Sequence, residues 1–294
     1  MIAVPQTFRD MPRWWHDEAG RAWLDRLPAL VSEACARWGL TVDGPVLHGS
    51  NALIVLVRHG SQQVTVRLTP PGDDLAAETA ALRHWDGRGV VRLLDVDLTL
   101  GACLLERLDH TRSLLSEPVL QAVATLGSLT RTLAVPAPAD APSTRELAAE
   151  AAESFGRQWR DLGQPTPRRL LEAAVAGAAA LAEAEPGRSS VNGDLHFEQV
   201  LAGSRYPWTV VDPVLLRGDP EYDIGRVLWT RLDELADDRD VHAAFRVFAD
   251  AASVPPERAR SWVVVRSMSY LLWGLRRGLT WDPPKCQRLL ELFS

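Results

Sequence analysis

Val191-Asn192-Gly193-Asp194-Leu195-His196-Phe197-Glu198-Gln199-Val200, followed by Val210-Val211-Asp212-Pro213, is the stretch on which the reading of this chain turns. An apolar β-run ends in a tight, glycine-containing turn with a carboxylate, Asp194, at its tip. A second carboxylate, Asp212, comes eighteen residues later at the end of another apolar run, Trp208-Thr209-Val210-Val211. Gln199 stands between them, five residues after Asp194. Phosphoryl transfer needs such a set: a loop carboxylate to orient the attacking hydroxyl and accept its proton, and two oxygen donors to hold Mg²⁺ against nucleotide phosphates. Alone, Asp194 reads equally well as an Asx-turn or helix-cap residue. With Gln199 and Asp212 at this spacing, the chemical reading is the better one. A carboxylate closing an apolar strand is costly unless a cation or donor meets it. Mg²⁺ suits Asp212, because it takes few protein oxygens and completes its shell with substrate phosphates.

Working outward, a second pair emerges. Gln63 to Leu68 alternates as a strand, with Val64, Val66 and Leu68 on one face and Gln63, Thr65 and Arg67 on the polar one. Glu78 follows on the next helix, eleven residues after Arg67. A strand cation braced by a helix carboxylate can grip nucleotide phosphates; a surface salt bridge is the plainer alternative. Gly49-Ser50-Asn51, between two strands, could cover phosphates with backbone N–H groups, Ser50 at its centre, or be an ordinary hairpin turn. Glu106-Arg107-Leu108 ends the last strand of the sheet. Backbone groups of Glu106 and Leu108 could read an adenine edge there, or the segment could be a plain crossover. His196 reads better as a structural histidine than as a proton shuttle, and Trp14 and Trp15 as packing residues.

The chain as a whole permits this chemistry. Its 294 residues suffice for two lobes. A hydrophobic content of 46% with 24% charged residues is that of a globular protein. A net charge of -6 argues against a nucleic-acid binder. Lys285 is the only lysine. Cys35, Cys103 and Cys286 show no metal-ligand spacing and are odd in number for a disulfide framework, so free thiols in a reducing cytoplasm are expected. Met1 to Trp15 is polar and broken by Pro5 and Pro12, unlike a signal peptide, and no apolar run is of membrane-spanning length.

Periodicity and stop signals predict a helix over 14–38, strands at 46–47, 53–57 and 63–68, a helix over 74–85, and strands at 90–94 and 102–105. Helices are then expected at 115–133, 143–162 with Ser143 as N-cap, 167–185, and from Asp219 onward. The order gives an α+β fold: a small antiparallel-sheet lobe over 1–108 and a large helical lobe over 109–294. The acidic run Asp233-Glu234, Asp237-Asp238 and Asp240 reads better as a solvated helix face than as the lining of an acceptor cleft.

At these residues the chain resembles the aminoglycoside/hydroxyurea phosphotransferase family, especially its streptomycin-kinase-like branch. The resemblance runs through Met11-Pro12-Arg13-Trp14-Trp15, Leu47-His48-Gly49-Ser50-Asn51, Glu78-Thr79-Ala80-Ala81-Leu82-Arg83-His84-Trp85 and Leu104-Leu105-Glu106-Arg107-Leu108. It is most specific at Gly193-Asp194-Leu195-His196 and Gly218-Asp219-Pro220-Glu221-Tyr222-Asp223. It implies a protein-kinase-like bilobal fold, ATP and Mg²⁺ as cofactors, and a small-molecule hydroxyl acceptor such as an aminoglycoside. It places the catalytic base at Asp194, with Asp212 and Gln199 as metal ligands. Arg67, Glu78, Ser50, Glu106 and Leu108 fall around the nucleotide, and Asp223 steadies the catalytic loop. Three positions depart from the family pattern: Arg67 stands for the phosphate-gripping Lys, Asn192 for the His that opens the catalytic turn, and Gln199 for a metal-binding Asn. All three are chemically related replacements, which makes an altered kinase the leading reading. A pseudokinase that binds nucleotide or a protein partner, and a kinase-like component of a peptide Ser/Thr-modifying system, are the alternatives.

Overall fold

The computed structural model describes residues 2–185 and 187–294. The chain divides into two compact units, 1–109 with 203–209, and 110–202 with 210–294. The first contains α1 (Gln6–Arg9), α2 (Glu18–Trp38), β1 (Thr41–His48), β2 (Leu53–His59), β3 (Gln62–Leu68), α3 (Leu75–Trp85), β4 (Leu93–Asp97) and β5 (Ala102–Glu106). Its sheet is antiparallel in the order β1-β2-β3-β5-β4. Val55, Val57, Val66 and Leu68 from the sheet pack with Phe8, Trp14, Trp23 and Leu27 from the N-terminal helices into one core.

The differences from the sequence expectations have local causes. The helix expected from residue 14 begins at Glu18, because the Asp17 side chain caps it by accepting from the Gly20 N–H; Pro12–Trp14 form a separate 3-10 turn. Trp14 is buried, and its indole N–H donates to the Phe8 carbonyl at 2.7 Å. Trp15 is 63% exposed and packs nothing comparable. The strand expected at 90–94 runs instead over Leu93–Asp97. Val90 and Val91 are buried, but Gly87 and Gly89 both adopt positive φ. There the chain turns instead of extending, and Arg205, reaching back from the 203–209 segment, donates to the Gly87 and Val90 carbonyls. From Val64 onward β3 is buried on both faces, so the polar face expected for Arg67 is no solvent face there: Arg67 is 5% exposed.

The second unit carries β6 (Asp109–Ser113, its first residue in the first unit), α4 (Val119–Leu133), α5 (Thr144–Asp161), α6 (Arg168–Glu183), β7 (Ser189–Asn192), β8 (Val200–Ala202), β9 (Trp208–Val210, straddling the division), β10 (Leu215–Gly218), α7 (Ile224–Thr230), α8 (Asp238–Ala252), α9 (Pro256–Arg276) and α10 (Asp282–Phe293). The helix expected from 115 starts at Val119, because Pro118 holds Glu117 in an extended conformation and leaves Leu114–Ser116 as a 3-10 turn. α5 opens on a full capping box: Ser143 Oγ accepts from the Arg145 N–H, and the Ser143 N–H donates to Glu146 Oε2 at 3.2 Å. A 3-10 turn over Pro220–Asp223 leads into α7. The acidic run is spent on structure. Asp233 pairs with Lys285 at 2.8 Å, Glu234 with Arg231, and Asp238 with Arg288; Asp237 caps α8, and Asp240 accepts from the Ala236 N–H. Among the described residues, no helix is long and apolar enough to cross a membrane.

Candidate active site

β7 ends at Asn192, which is 3% exposed. Its Oδ1 accepts from the Val214 N–H at 3.0 Å and the Asp194 N–H at 3.4 Å, stapling the turn to the segment that begins β10. Gly193 donates to the Val214 carbonyl at 2.9 Å, and a Cβ there would sit 2.6 Å from Leu216 Cδ1. Sequence and packing thus force the turn, and the turn sets Asp194 at its tip.

Both oxygens of Asp194 are engaged. Gln199 Nε2 donates to Oδ2 at 3.0 Å, and Arg226 Nε lies 3.0 Å from Oδ1. Burial pushes the carboxyl above its ordinary range, Arg226 and Arg266 pull it back, and Asp212 pushes it up again. A half-buried carboxylate with competing charges is suited to proton acceptance. His196 Nε2 is 3.9 Å from Asp194 Oδ2. Burial, aided by the Arg226 charge, lowers the imidazole to about 3, so it is neutral at physiological pH and its carboxylate contacts are not ion pairs.

Gln199 closes a 3-10 turn over Phe197–Gln199. With its amide nitrogen on Asp194, Oε1 is left buried without a hydrogen-bond partner. The Gln199 carbonyl accepts from the Val211 N–H at 2.8 Å, which sets Asp212 on the adjoining strand end. Asp212 adopts φ +55°, a left-handed conformation that aspartate tolerates better than most residues. An orphaned amide oxygen, with Asp212 near enough to act on Asp194, fits a hard cation such as Mg²⁺. Among the described residues, no three His, Cys, Asp or Glu side chains cluster to hold a metal, so this pair would need further oxygens from a bound phosphate.

Asp223 lies under the same segment. It is 2% exposed, and burial pushes it up to about 8, only partly offset by Arg266 and the nearby Leu195 backbone N–H. The preceding residues are structural. Gly218 has φ +145° and its Cβ position is filled by Thr144; Asp219 Oδ2 accepts from Trp262 Nε1 at 3.0 Å; buried Glu221 binds Arg258.

In the first unit, Arg67 Nη1 lies 2.6 Å from Glu78 Oε2 and donates to Thr69 Oγ1 at 2.5 Å, with side chains only 6% and 10% exposed in the ion pair. The plainer surface-pair reading is therefore overturned by burial. Ser50 lies on an exposed loop tip, its carbonyl accepting from Arg13 at 3.4 Å. The Glu106 carboxylate is bound by Arg205 and the Arg92 N–H, and its own N–H donates to the Arg92 carbonyl, so the side chain has a structural task. Leu108 is buried. The structure thus joins Arg67 to Glu78 and Asp194 to Gln199, while Ser50, Glu106 and Leu108 belong to neither cluster. Sequence reasoning missed Arg226, Arg205 and Thr69. Arg226 had a signal, lying one helical turn after Asp223; Arg205 had none.

The profile of the aminoglycoside/hydroxyurea antibiotic resistance kinases matches residues 37–278. A streptomycin 6-kinase from Streptomyces glaucescens is 36% identical, over 95% of this chain and 92% of its own. A hydroxyurea phosphotransferase from Kitasatospora aureofaciens is 35% identical, over 95% of this chain and 82% of its own. Among solved structures, a thermostable mutant of aminoglycoside phosphotransferase APH(4)-Ia, in ternary complex with ADP and hygromycin B, superposes with a TM-score of 0.64 at 17% identity, covering 89% of this chain and 97% of that one.

Proposed function

The chain belongs to the aminoglycoside/hydroxyurea antibiotic resistance kinase family, and from that premise we propose that it transfers the γ-phosphoryl group of ATP to a hydroxyl of a small molecule, with an aminoglycoside such as streptomycin as the first acceptor class. The observation that carries this reading is Asp194, held at a turn tip by Gln199 and Arg226 with Asp212 close enough to perturb it. Asp194 orients the acceptor hydroxyl and takes its proton as the oxygen attacks phosphorus. Gln199 Oε1 and Asp212 would hold Mg²⁺, which when bound would neutralise charge on the phosphates. Arg67, braced by Glu78 and Thr69, grips phosphate oxygens. The N–H groups around Ser50 cover them, and backbone groups of Glu106 and Leu108 meet the adenine.

The three departures from the family pattern keep their tasks. Arg67 retains a charge paired to the helix carboxylate. Asn192 fixes the turn through its side-chain oxygen. Gln199 keeps an amide oxygen free. Three free cysteines suit the reducing compartment in which ATP is abundant. The test is incubation with ATP, Mg²⁺ and either streptomycin or hydroxyurea, followed by mass spectrometry of the acceptor. Addition of one phosphoryl group supports the reading. ATP binding in calorimetry with no acceptor modified would instead favour a nucleotide-binding pseudokinase.

A further inference from the structure

Gln199 accounts for one oxygen of Asp194; the other faces a side chain that no part of the sequence motif calls for. Arg226 Nε lies 3.0 Å from Asp194 Oδ1, with side chains 21% and 35% exposed. The N–H is not aligned as a hydrogen bond, so charge attraction in a partly dry environment holds the contact. The helix that carries the arginine is itself closely packed. Gly225 lets α7 approach α9 so closely that a Cβ there would sit 2.9 Å from Arg266 Cβ. The Arg226 carbonyl accepts from Thr230 Oγ1 at 2.7 Å. One turn earlier, the buried Asp223 carboxylate sits near the Leu195 N–H of the same loop. One segment therefore faces the loop at two points, near its backbone through Asp223 and at its reacting side chain through Arg226.

We propose that Arg226 is a positioning residue for the reaction: with Gln199 it fixes the plane of the Asp194 carboxylate, so that a remaining lone pair meets the acceptor hydroxyl. The proposal rests on the phosphotransferase reading above. With an anchor on each oxygen, the carboxylate cannot turn about its terminal bond without losing one of them. Misplacement by about 1 Å is enough to cost on the order of 10²-fold in rate, and a carboxylate free to turn would be misplaced by that much.

The experiment is a double-mutant cycle with a structural arm. Whichever of streptomycin and hydroxyurea the wild type phosphorylates serves as acceptor. Arg226→Ala is expected to lower kcat on the order of 10²-fold while leaving the KM for ATP nearly unchanged, and Arg226→Lys to recover part of the loss. In an Asp194→Asn background the same Arg226→Ala change should have little further effect, because the two residues act as one unit. An equal loss in both backgrounds, or a raised KM at unchanged kcat, overturns the proposal. Arg226→Gln, nearer in volume, replaces the alanine variant if that fails to fold. Crystal structures of the wild type and the variant decide the matter independently of turnover. The Asp194 carboxylate plane should be turned or spread over more than one orientation in the variant, and an unmoved carboxylate refutes the inference even if neither acceptor is ever phosphorylated. Failure of the wild type on both acceptors would count against the proposed function and leave this structural arm intact.

Discussion

Arg67 and Glu78 illustrate what a buried charge pair commits a protein to. Removing one partner of such a pair leaves the other desolvated and unpaired, at a cost of about 3–5 kcal/mol. Arg67→Ala should accordingly lower the chemical-denaturation stability by that amount and weaken ATP binding, whereas Arg67→Lys should keep both the fold and turnover. Equal ATP affinity for the wild type and Arg67→Ala in calorimetry would remove Arg67 from the nucleotide site. His196 gives a pH test. Its folded-state value of about 3 lies below the ordinary 6.5, so between these limits the unfolded chain binds a proton that the folded chain refuses. Its contribution to stability is complete above pH 6.5 and is lost as pH falls toward 3. His196→Gln should flatten the acid side of the stability curve in that window, and urea midpoints measured from pH 7 to pH 4 check it; an unchanged slope would show that other groups control acid unfolding.

At the scale of elements, caps and turn residues decided more than periodicity did. Ser143, Gly39 and Trp85 bounded helices within about a residue or two of where the pattern put them. The 90–94 strand failed because two positive-φ glycines and a distant arginine override the β-propensity of Val90 and Val91, and no local rule contains that arginine. The turn that carries Asp194 was legible because its demands are local: a buried strand, a glycine where no Cβ fits, and a carboxylate directly after. Gly193→Ala tests this. Its methyl would collide with Leu216, and overpacking of this kind costs about 1–3 kcal/mol. The variant should melt earlier and lose transfer more than it loses nucleotide binding. Full activity at an unchanged melting temperature would mean that the turn has room to relax.

At the scale of the whole molecule, α+β order, a five-stranded antiparallel sheet and a helical remainder all follow from the order of periodic segments. Of the candidate site, the pairs Arg67–Glu78 and Asp194–Gln199 were legible as fixed spacings. Arg226 was signalled only by its place one helical turn after Asp223, and Arg205 not at all, because its partner Glu106 lies 99 residues away in sequence. The 203–209 excursion is a long-range feature of this kind: it packs with the first unit, where Arg205 joins Glu106 to the carbonyls of Gly87 and Val90. Arg205→Ala should speed amide hydrogen exchange across residues 87–92, and unaltered protection would show that the glycine turns hold that segment unaided. The account depends most on Asp194 as the base. The direct measurement is the rate of phosphoryl transfer from ATP to streptomycin by the wild type and by Asp194→Asn, alongside ATP affinity for both. The variant should lose about 10²–10⁴-fold in rate while remaining folded and binding ATP as the wild type does; transfer at an equal rate by Asp194→Asn would contradict the mechanism.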